Sequence, residues 1–120
     1  MSVKKGDVLR ASLTFTVEDV EAFTRISGDR GAQHVQKDAA GRLMVHGLLT
    51  ASVVTEVGGS IDYIARVMHL EYLRPVFSGD TVEAVCTIDD AVDGRLTVGI
   101  VCTNQHDKIV LQGSTSGVVR

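Results

Sequence analysis

The sequence predicts an α+β fold in which a curled, five-stranded antiparallel sheet wraps around a central buried helix. Three observations predict it: an apolar segment of helical length, one alternating strand-like run before it, and four such runs after it. The chain has 120 residues, of which 44% are hydrophobic and 22% charged. That composition is typical of a globular protein, and we expect a single domain over residues 1–120.

The first strand and the first helix follow from local patterns. Apolar residues at positions 9, 11, 13 and 15 alternate with polar ones at positions 10, 12 and 14, which predicts a strand over residues 7–15. Thr16 can cap the free amide of Asp19 and so begin a helix. Ser27-Gly28 ends that helix, because glycine readily takes the left-handed conformation. Residues 35–43 are polar and are predicted to form a short loop.

The central helix is predicted over residues 45–59, which read VHGLLTASVVTEVGG. This segment is apolar nearly all round, and a helix of that kind is buried on most sides. Gly58-Gly59 is predicted to stop it.

Four strands are predicted after the helix, over residues 65–74, 81–88, 95–104 and 108–119. Turns separate them at Ser78-Gly79-Asp80, at Asp93-Gly94 and at residues 105–107. One sheet around one helix is the hot-dog fold. Because a single copy leaves an edge strand and part of the helix uncovered, we expect a homodimer or a dimer of dimers.

The composition also excludes several classes of partner. The formal net charge is −3, so a nucleic-acid partner is not expected. No apolar run reaches the roughly 20 residues that span a bilayer, and the N-terminus lacks an apolar signal core, so neither a membrane partner nor secretion is expected. Cys86 and Cys102 lack metal-ligand spacing and are expected to be reduced. These observations predict a cytoplasmic protein.

Two short stretches carry candidate chemistry. In SGDRGAQH, Asp29 and His34 can hold one water between them as an acid–base pair, or Asp29 can bond its own turn. His46-Gly47 stands where the central helix begins, and a helix start offers free backbone amides that stabilise a developing oxyanion. An acid, an imidazole and an amide at a helix start together suit chemistry on a thioester carbonyl.

The chain resembles the MaoC-like (R)-specific enoyl-CoA hydratases over nearly its whole length. FTVEDVEAFTRISGD is similar to the family's lead-in helix and acid, and GDRGAQH to its motif D-x-N-P-x-H. MVHGLLTASVV resembles the family's helix entry, and LEYLRPVFSGDTVEA the strand and turn that follow. Two departures are visible: Gly31-Ala32 replaces Asn-Pro, and the segment from His34 to His46 is shorter than usual in the family.

The resemblance implies hydration of a trans-2-enoyl-CoA to an (R)-3-hydroxyacyl-CoA, or the reverse dehydration. Asp29 and His34 would activate the water, and the Gly47 amide would hold the thioester oxygen. His46, Ser52 and Thr55 are expected to bind substrate. The substrate is an acyl thioester; no metal and no organic cofactor is expected, since coenzyme A is part of the substrate.

Two other functions stay open at the level of sequence. One is a hot-dog acyl-CoA thioesterase, for which Glu56 is the only acid inside the central helix. The other is a non-catalytic domain that binds acyl thioesters. Arg42, Arg66 and Arg74 could meet the phosphates of coenzyme A, although each is more typical of a solvated surface charge.

Overall fold

Five antiparallel strands form one sheet in the spatial order β1-β3-β4-β5-β2, in a computed structural model that describes residues 2–120. The strands are β1 (Val8–Thr14), β2 (Tyr63–Tyr72), β3 (Thr81–Val92), β4 (Arg95–Thr103) and β5 (Ile109–Val119). The helices are α1 (Val17–Ser27), α2 (Ala32–Val35), α3 (Gly47–Ala51) and α4 (Val53–Ser60). Helix α4 packs against β1, β2 and β3, which confirms the predicted hot-dog architecture.

Helix α1 begins and ends where the sequence predicts. The Thr16 hydroxyl accepts a hydrogen bond from the Asp19 amide at 3.1 Å, and the Asp19 carboxylate accepts one from the Thr16 amide at 2.9 Å. This reciprocal pair is a capping box. At the other end Gly28 has φ of 77°, the left-handed conformation that stops a helix. The helix therefore delivers the chain to Asp29 at a fixed point.

The central helix was predicted as one continuous element, and it is interrupted at Ser52, which separates α3 from α4. The Ser52 hydroxyl donates to the carbonyl of Leu49, and the Thr55 hydroxyl donates to the carbonyl of Ser52. Side-chain hydroxyls that bond nearby carbonyls compete with the helical ladder and locally tighten or bend it. The helix begins at Gly47 rather than at residue 45.

The inner face of the sheet forms the core with the helix. On β3, Val82, Ala84, Cys86 and Ile88 are all buried, as the alternation predicts. Strand β3 continues to Val92, four residues beyond the predicted end, because a bulge between Ile88 and Asp90 absorbs the polar residues there. The Asp93-Gly94 hairpin turn is confirmed, with both residues at positive φ.

Cys86 and Cys102 are free thiols on this inner face. Burial raises the pKa of Cys86 to about 11. It raises the pKa of Cys102 to about 12, with a smaller contribution from the Cys86 thiol.

The segment before the central helix differs from the predicted loop in having one helical turn, α2. The rest of the segment is held in a tight turn by the carboxylate of Asp38. Asp38 accepts hydrogen bonds from the amides of Ala40 and Arg42 and from the Arg42 side chain, at 2.8–2.9 Å. The hydrogen bonds from Arg42 hold the pKa of Asp38 below its usual value.

Strands β1 and β2 form the two edges of the sheet. Met68 and Tyr72 lie on the helix side of β2, as predicted, and His69 is exposed on the other side. Within residues 2–120 no helix has the length and apolar character needed to cross a membrane.

Candidate active site

Asp29 lies in the turn that leaves α1, and its two carboxylate oxygens face different ways. Oδ1 accepts a hydrogen bond from the Gly31 amide at 3.0 Å, so the side chain bonds its own turn. Oδ2 lies 3.7 Å from Nε2 of His34. One oxygen therefore fixes the turn, as one of the two interpretations predicts, and the other faces the imidazole, so that the acid–base pair stays a prediction.

His34 lies on α2 and is buried, with 6% of its surface exposed. Its Nδ1 is 2.7 Å from the carbonyl oxygen of Met44, and a carbonyl can only accept, so Nδ1 carries the proton and donates. In the neutral ring Nε2 is then an unprotonated acceptor on the side of Asp29. The Gln33 amide nitrogen lies 3.3 Å from this Nε2 and donates to it.

His46 packs behind His34. The two imidazole rings stack with centroids 3.8 Å apart and planes inclined by 16°. Nε2 of His46 donates to the Asp29 carbonyl at 3.2 Å and lies 3.2 Å from the Thr24 hydroxyl. The ring is 2% exposed and its Nδ1 has no hydrogen-bond partner within residues 2–120. His46 thus supports the ring of His34 and the backbone of Asp29 from the protein interior.

Gly47 is the first residue of α3, so its amide has no partner inside the helix. A side chain at this position would contact the ring of Tyr72, because a Cβ built there lies 3.1 Å from Cε1 of that ring. Tyr72 therefore lies close against Gly47, and both residues line the same groove. His34 and Gly47 line one cavity of about 340 Å³ together with Gln33, Thr50, Tyr72 and Arg74.

The other predicted binding residues lie elsewhere. The Ser52 hydroxyl is bonded to its own helix at Leu49. Thr55 lines a separate apolar cavity of about 170 Å³ between α4 and the sheet, with Met68 and Cys86. Neither lines the cavity that holds His34 and Gly47, so their predicted contact with substrate stays a prediction.

The remaining candidates from the sequence are distributed around the surface. Glu56 is exposed on α4 and lines neither cavity beside His34. Arg42 pairs with Asp38 at 2.9 Å and lies over the Phe77 ring at 4.0 Å. Arg74 lines the cavity of His34 and donates to the Ile109 carbonyl at 2.6 Å. Arg66 is exposed on β2. Of the three arginines proposed to meet phosphates, Arg74 is therefore the one that lines the cavity of His34.

Asp29, His34 and His46 also form a group whose possible ligand atoms lie within 4.8 Å of one another. A metal ion lies close to the plane of each imidazole that binds it. The two rings are stacked face to face at 3.8 Å, so their lone pairs run side by side and do not meet at one point. The arrangement suits mutual support of the rings better than metal binding.

Three residues of the candidate site were not predicted from the sequence: Met44, Gln33 and Tyr72. Met44 acts through its backbone carbonyl, for which sequence carries no signal. Gln33 occupies the second x of the motif D-x-N-P-x-H, and an unspecified position in a motif does not predict a role. Tyr72 alternates with Met68 on the helix-facing side of β2, and this alternation is the signal that could have predicted its contact with Gly47.

Comparisons with known proteins identify the family of this chain. A family model described as "MaoC like domain" matches residues 2–110. A 3-hydroxybutyryl-CoA dehydratase from Methylorubrum extorquens is 31% identical over 107 residues, which cover 79% of this chain and 67% of that protein. A mitochondrial 3-hydroxyacyl-[acyl-carrier-protein] dehydratase from Arabidopsis thaliana is 24% identical over 132 residues, which cover 98% of this chain and 78% of that protein.

A solved structure, the (R)-hydratase from A. caviae involved in PHA biosynthesis, is similar in fold. Its TM-score is 0.89 at 24% identity, over 100% of this chain and 99% of that chain. At this identity the likeness shows the hot-dog fold. The family model, which covers almost all of the sequence, shows more: the chain belongs to the MaoC-like dehydratase family.

Proposed function

We propose that this protein adds water to trans-2-enoyl-CoA thioesters to give (R)-3-hydroxyacyl-CoA, and catalyses the reverse dehydration. One observation carries the proposal: Oδ2 of Asp29 lies 3.7 Å from Nε2 of His34, and His34 lines one cavity together with Gly47, whose amide begins helix α3. Relatives named as dehydratases of 3-hydroxyacyl thioesters, and a fold neighbour named as an (R)-hydratase, support the reaction class.

The dyad is arranged to hold one water. A separation of 3.7 Å is too long for a direct hydrogen bond, but a water about 2.8 Å from both atoms fits between these two acceptors. Both Oδ2 of the ionised Asp29 and Nε2 of neutral His34 accept hydrogen bonds. The water therefore donates to both of them, displacing the Gln33 amide from its long 3.3 Å contact with the single lone pair of Nε2, and its oxygen lone pairs point toward the substrate.

In hydration the water oxygen attacks the β-carbon, and one proton passes from the water to the dyad. The π electrons move toward the thioester carbonyl, whose oxygen gains negative charge as an enolate. The dyad then gives a proton to the α-carbon, which completes the addition, so that OH and H have been added across the double bond and the dyad is restored. The reaction needs only water, the thioester and the protein's own groups.

The amide of Gly47 is proposed to stabilise the enolate oxygen. The amide is unpaired because α3 begins there, and a glycine leaves the backbone open to close approach. A preorganised donor of this kind typically contributes about 10²–10³ in rate. Tyr72 borders the same groove and is proposed to position the acyl group against it.

The experiment is the loss of enoyl absorbance from crotonyl-CoA. Asp29→Asn and His34→Ala should each slow hydration by about 10²-fold or more, because each removes one of the two groups that hold the water. Asp107→Asn and His106→Ala are matched controls, since both residues are exposed and lie outside the cavities of His34. Wild-type rates in both dyad variants would remove the pair from the mechanism.

The same protein samples can test thioester hydrolysis. Release of free coenzyme A from a saturated acyl-CoA is not expected, because Glu56 is exposed and lies away from the cavity of Gly47. Rapid thiol release that Glu56→Gln abolishes would overturn the assignment to hydration.

We also propose that two copies of this chain pair through β2. This strand is ten residues long, lies at the edge of the sheet and has one side of its backbone unpaired within residues 2–120. Apolar side chains along it are exposed, among them Ile64 at 46% and Val67 at 61%. A long apolar edge is a template for pairing with another strand, and a second copy supplies one of equal length.

A further inference from the structure

The side chain of Gln33 lies between His34 and Gly31. Its amide nitrogen is 3.3 Å from Nε2 of His34. Its amide group also lies over Gly31, where a Cβ would come within 2.9 Å of Oε1 and 3.2 Å of the amide nitrogen. The amide therefore occupies the space that any side chain at position 31 would fill.

We propose that Gln33 is a positioning residue that holds His34 as the neutral Nδ1–H tautomer, and that Gly31 is glycine to make room for it. The inference rests on the proposed function, in which Nε2 must be free of a proton to accept one from water. Because an amide N–H donates to Nε2, its hydrogen bond exists only while Nε2 is unprotonated. The bond is lost when the imidazole becomes charged.

The carboxylate of Asp29 has the opposite effect on the protonation of His34. Oδ2 of Asp29 lies 3.7 Å from Nε2, and an opposite charge at that distance favours the protonated ring. The hydrogen bond from Gln33 favours the neutral ring. The two neighbours therefore oppose each other, and the base stays available beside an acid that would otherwise draw a proton onto it.

Other charged groups around His34 are less direct. Glu21, Arg30 and Lys37 line the cavity of about 280 Å³ on one side of the ring, and Arg74 lines the cavity on the other. His46 stacks on the ring face and directs its Nε2 to the Asp29 carbonyl. Within residues 2–120, Gln33 is the residue whose side chain hydrogen-bonds Nε2.

The local backbone supports this role. The Gln33 carbonyl accepts a hydrogen bond from the Met44 amide at 2.9 Å, and the Met44 carbonyl accepts from Nδ1 of His34. The main chain at position 33 is thus fixed, and only its side chain is free to move.

Gly31 has φ of −50° and ψ of 142°, which any residue adopts without strain. Glycine is therefore not needed at position 31 for its backbone freedom. What it provides is the space in which the Gln33 amide lies.

The experiment measures the protonation of His34 directly, by NMR of ¹⁵N-labelled histidine in the free protein, with His34→Ala to assign the signal. Gln33→Met keeps the length of the side chain and removes the donor. Gly31→Ala keeps Gln33 and displaces its amide. Gly59→Ala is the matched control, since a Cβ there meets nothing within 4 Å.

In Gln33→Met and Gly31→Ala, we expect the midpoint of the His34 titration to move to higher pH by about 0.4 to 1 unit, the equivalent of one ordinary hydrogen bond. Gln33→Glu should move it further, because a carboxylate accepts from the charged ring. The Gly59→Ala titration should match that of the wild type. A titration of His34 that is the same in the wild type, Gln33→Met and Gly31→Ala would overturn the inference.

Crotonyl-CoA hydration separates this inference from the proposed function. The acid limb of kcat/KM should move with the NMR titration, so that rates below the midpoint fall about 3- to 10-fold and the loss shrinks as the pH rises. A purely structural defect would lower kcat/KM at every pH and would count against the positioning role. If the titration moves as expected and the wild type does not hydrate crotonyl-CoA, the role of Gln33 holds and the proposed function fails.

Discussion

Replacing Gly47 by alanine tests the oxyanion-stabilising amide without removing the amide itself. A Cβ at this position lies 3.1 Å from Cε1 and 3.2 Å from Cζ of Tyr72, tighter than an ordinary contact by a few tenths of an ångström. Tyr72 is 48% exposed on the edge strand, so its ring can shift by that much. We therefore expect Gly47→Ala to fold, with a free energy of unfolding within about 1 kcal/mol of the wild type.

The effect on catalysis should be much larger. The new methyl group narrows the groove that Gly47 and Tyr72 line, through which we propose that a thioester oxygen reaches the amide. Loss of one oxyanion donor costs about 10²–10³ in kcat, equivalent to about 2.7–4 kcal/mol of transition-state stabilisation. We expect kcat for crotonyl-CoA hydration to fall by about 10²-fold, because the amide acts mainly on charge that develops in the transition state.

Two further variants separate obstruction of the amide from crowding of Tyr72. Gly58→Ala is the control within α4, since its Cβ meets the Tyr63 ring at an ordinary 3.7 Å. The double variant Gly47→Ala/Tyr72→Ala relieves the crowding and keeps the methyl group at the amide. Because Tyr72 is itself proposed to position the acyl group, the double variant is compared with Tyr72→Ala alone, and equal activity of the two would assign the loss in Gly47→Ala to crowding of the ring. A Gly47→Ala enzyme within about threefold of wild type would refute the reasoning that the thioester oxygen approaches the amide through the space that the methyl group fills.

Local rules were sufficient for most of the fold. Thr16 and Asp19 specify the start of α1 by a capping box, and Asp93-Gly94 specifies a tight hairpin, because each depends on a few adjacent residues. The alternation on β3 identified its buried face for the same reason. The end of β3 was less predictable, since a bulge lets a strand pass through two aspartates that resemble a turn.

The interruption at Ser52 shows a limit of another kind. A serine inside an apolar helix is compatible with a continuous ladder or with a local break, and the outcome depends on where its hydroxyl is bonded. Here both Ser52 and Thr55 bond carbonyls of their own helix. The sequence contains the residues but not the choice between these arrangements.

The candidate site likewise contains one part that the motif predicts and another that depends on tertiary contacts. Asp29 and His34 were predicted to approach each other because five residues of loop bring their ends together. Other partners lie farther along the chain: the Met44 carbonyl accepts the hydrogen bond from Nδ1 of His34, and His46 stacks behind its ring. Such contacts depend on tertiary packing, which a motif does not record.

Two predictions address assembly and the core. Val67→Lys, on the exposed edge strand, should lower the mass measured by light scattering from at least twice 12.8 kDa toward that value, whereas Val101→Lys, on the central strand β4, should not. Equal masses for both variants would exclude β2 as the interface. For the core, the raised pKa values of Cys86 and Cys102, about 11 and about 12 against an ordinary 9.0, predict a loss of stability in alkali. The unfolded chain releases these protons first, so stability is intact below about pH 9 and falls as the pH rises toward 11–12, by up to about 1.4 kcal/mol per pH unit for each thiol. Burial also raises the pKa of Tyr72, which adds to the fall above pH 10, so the thiol contribution must be isolated by substitution. Urea denaturation at pH 8 and pH 10.5 should show a smaller alkaline loss in Cys102→Ala than in wild type, and equal losses would mean that the thiols ionise alike in the folded and unfolded chain.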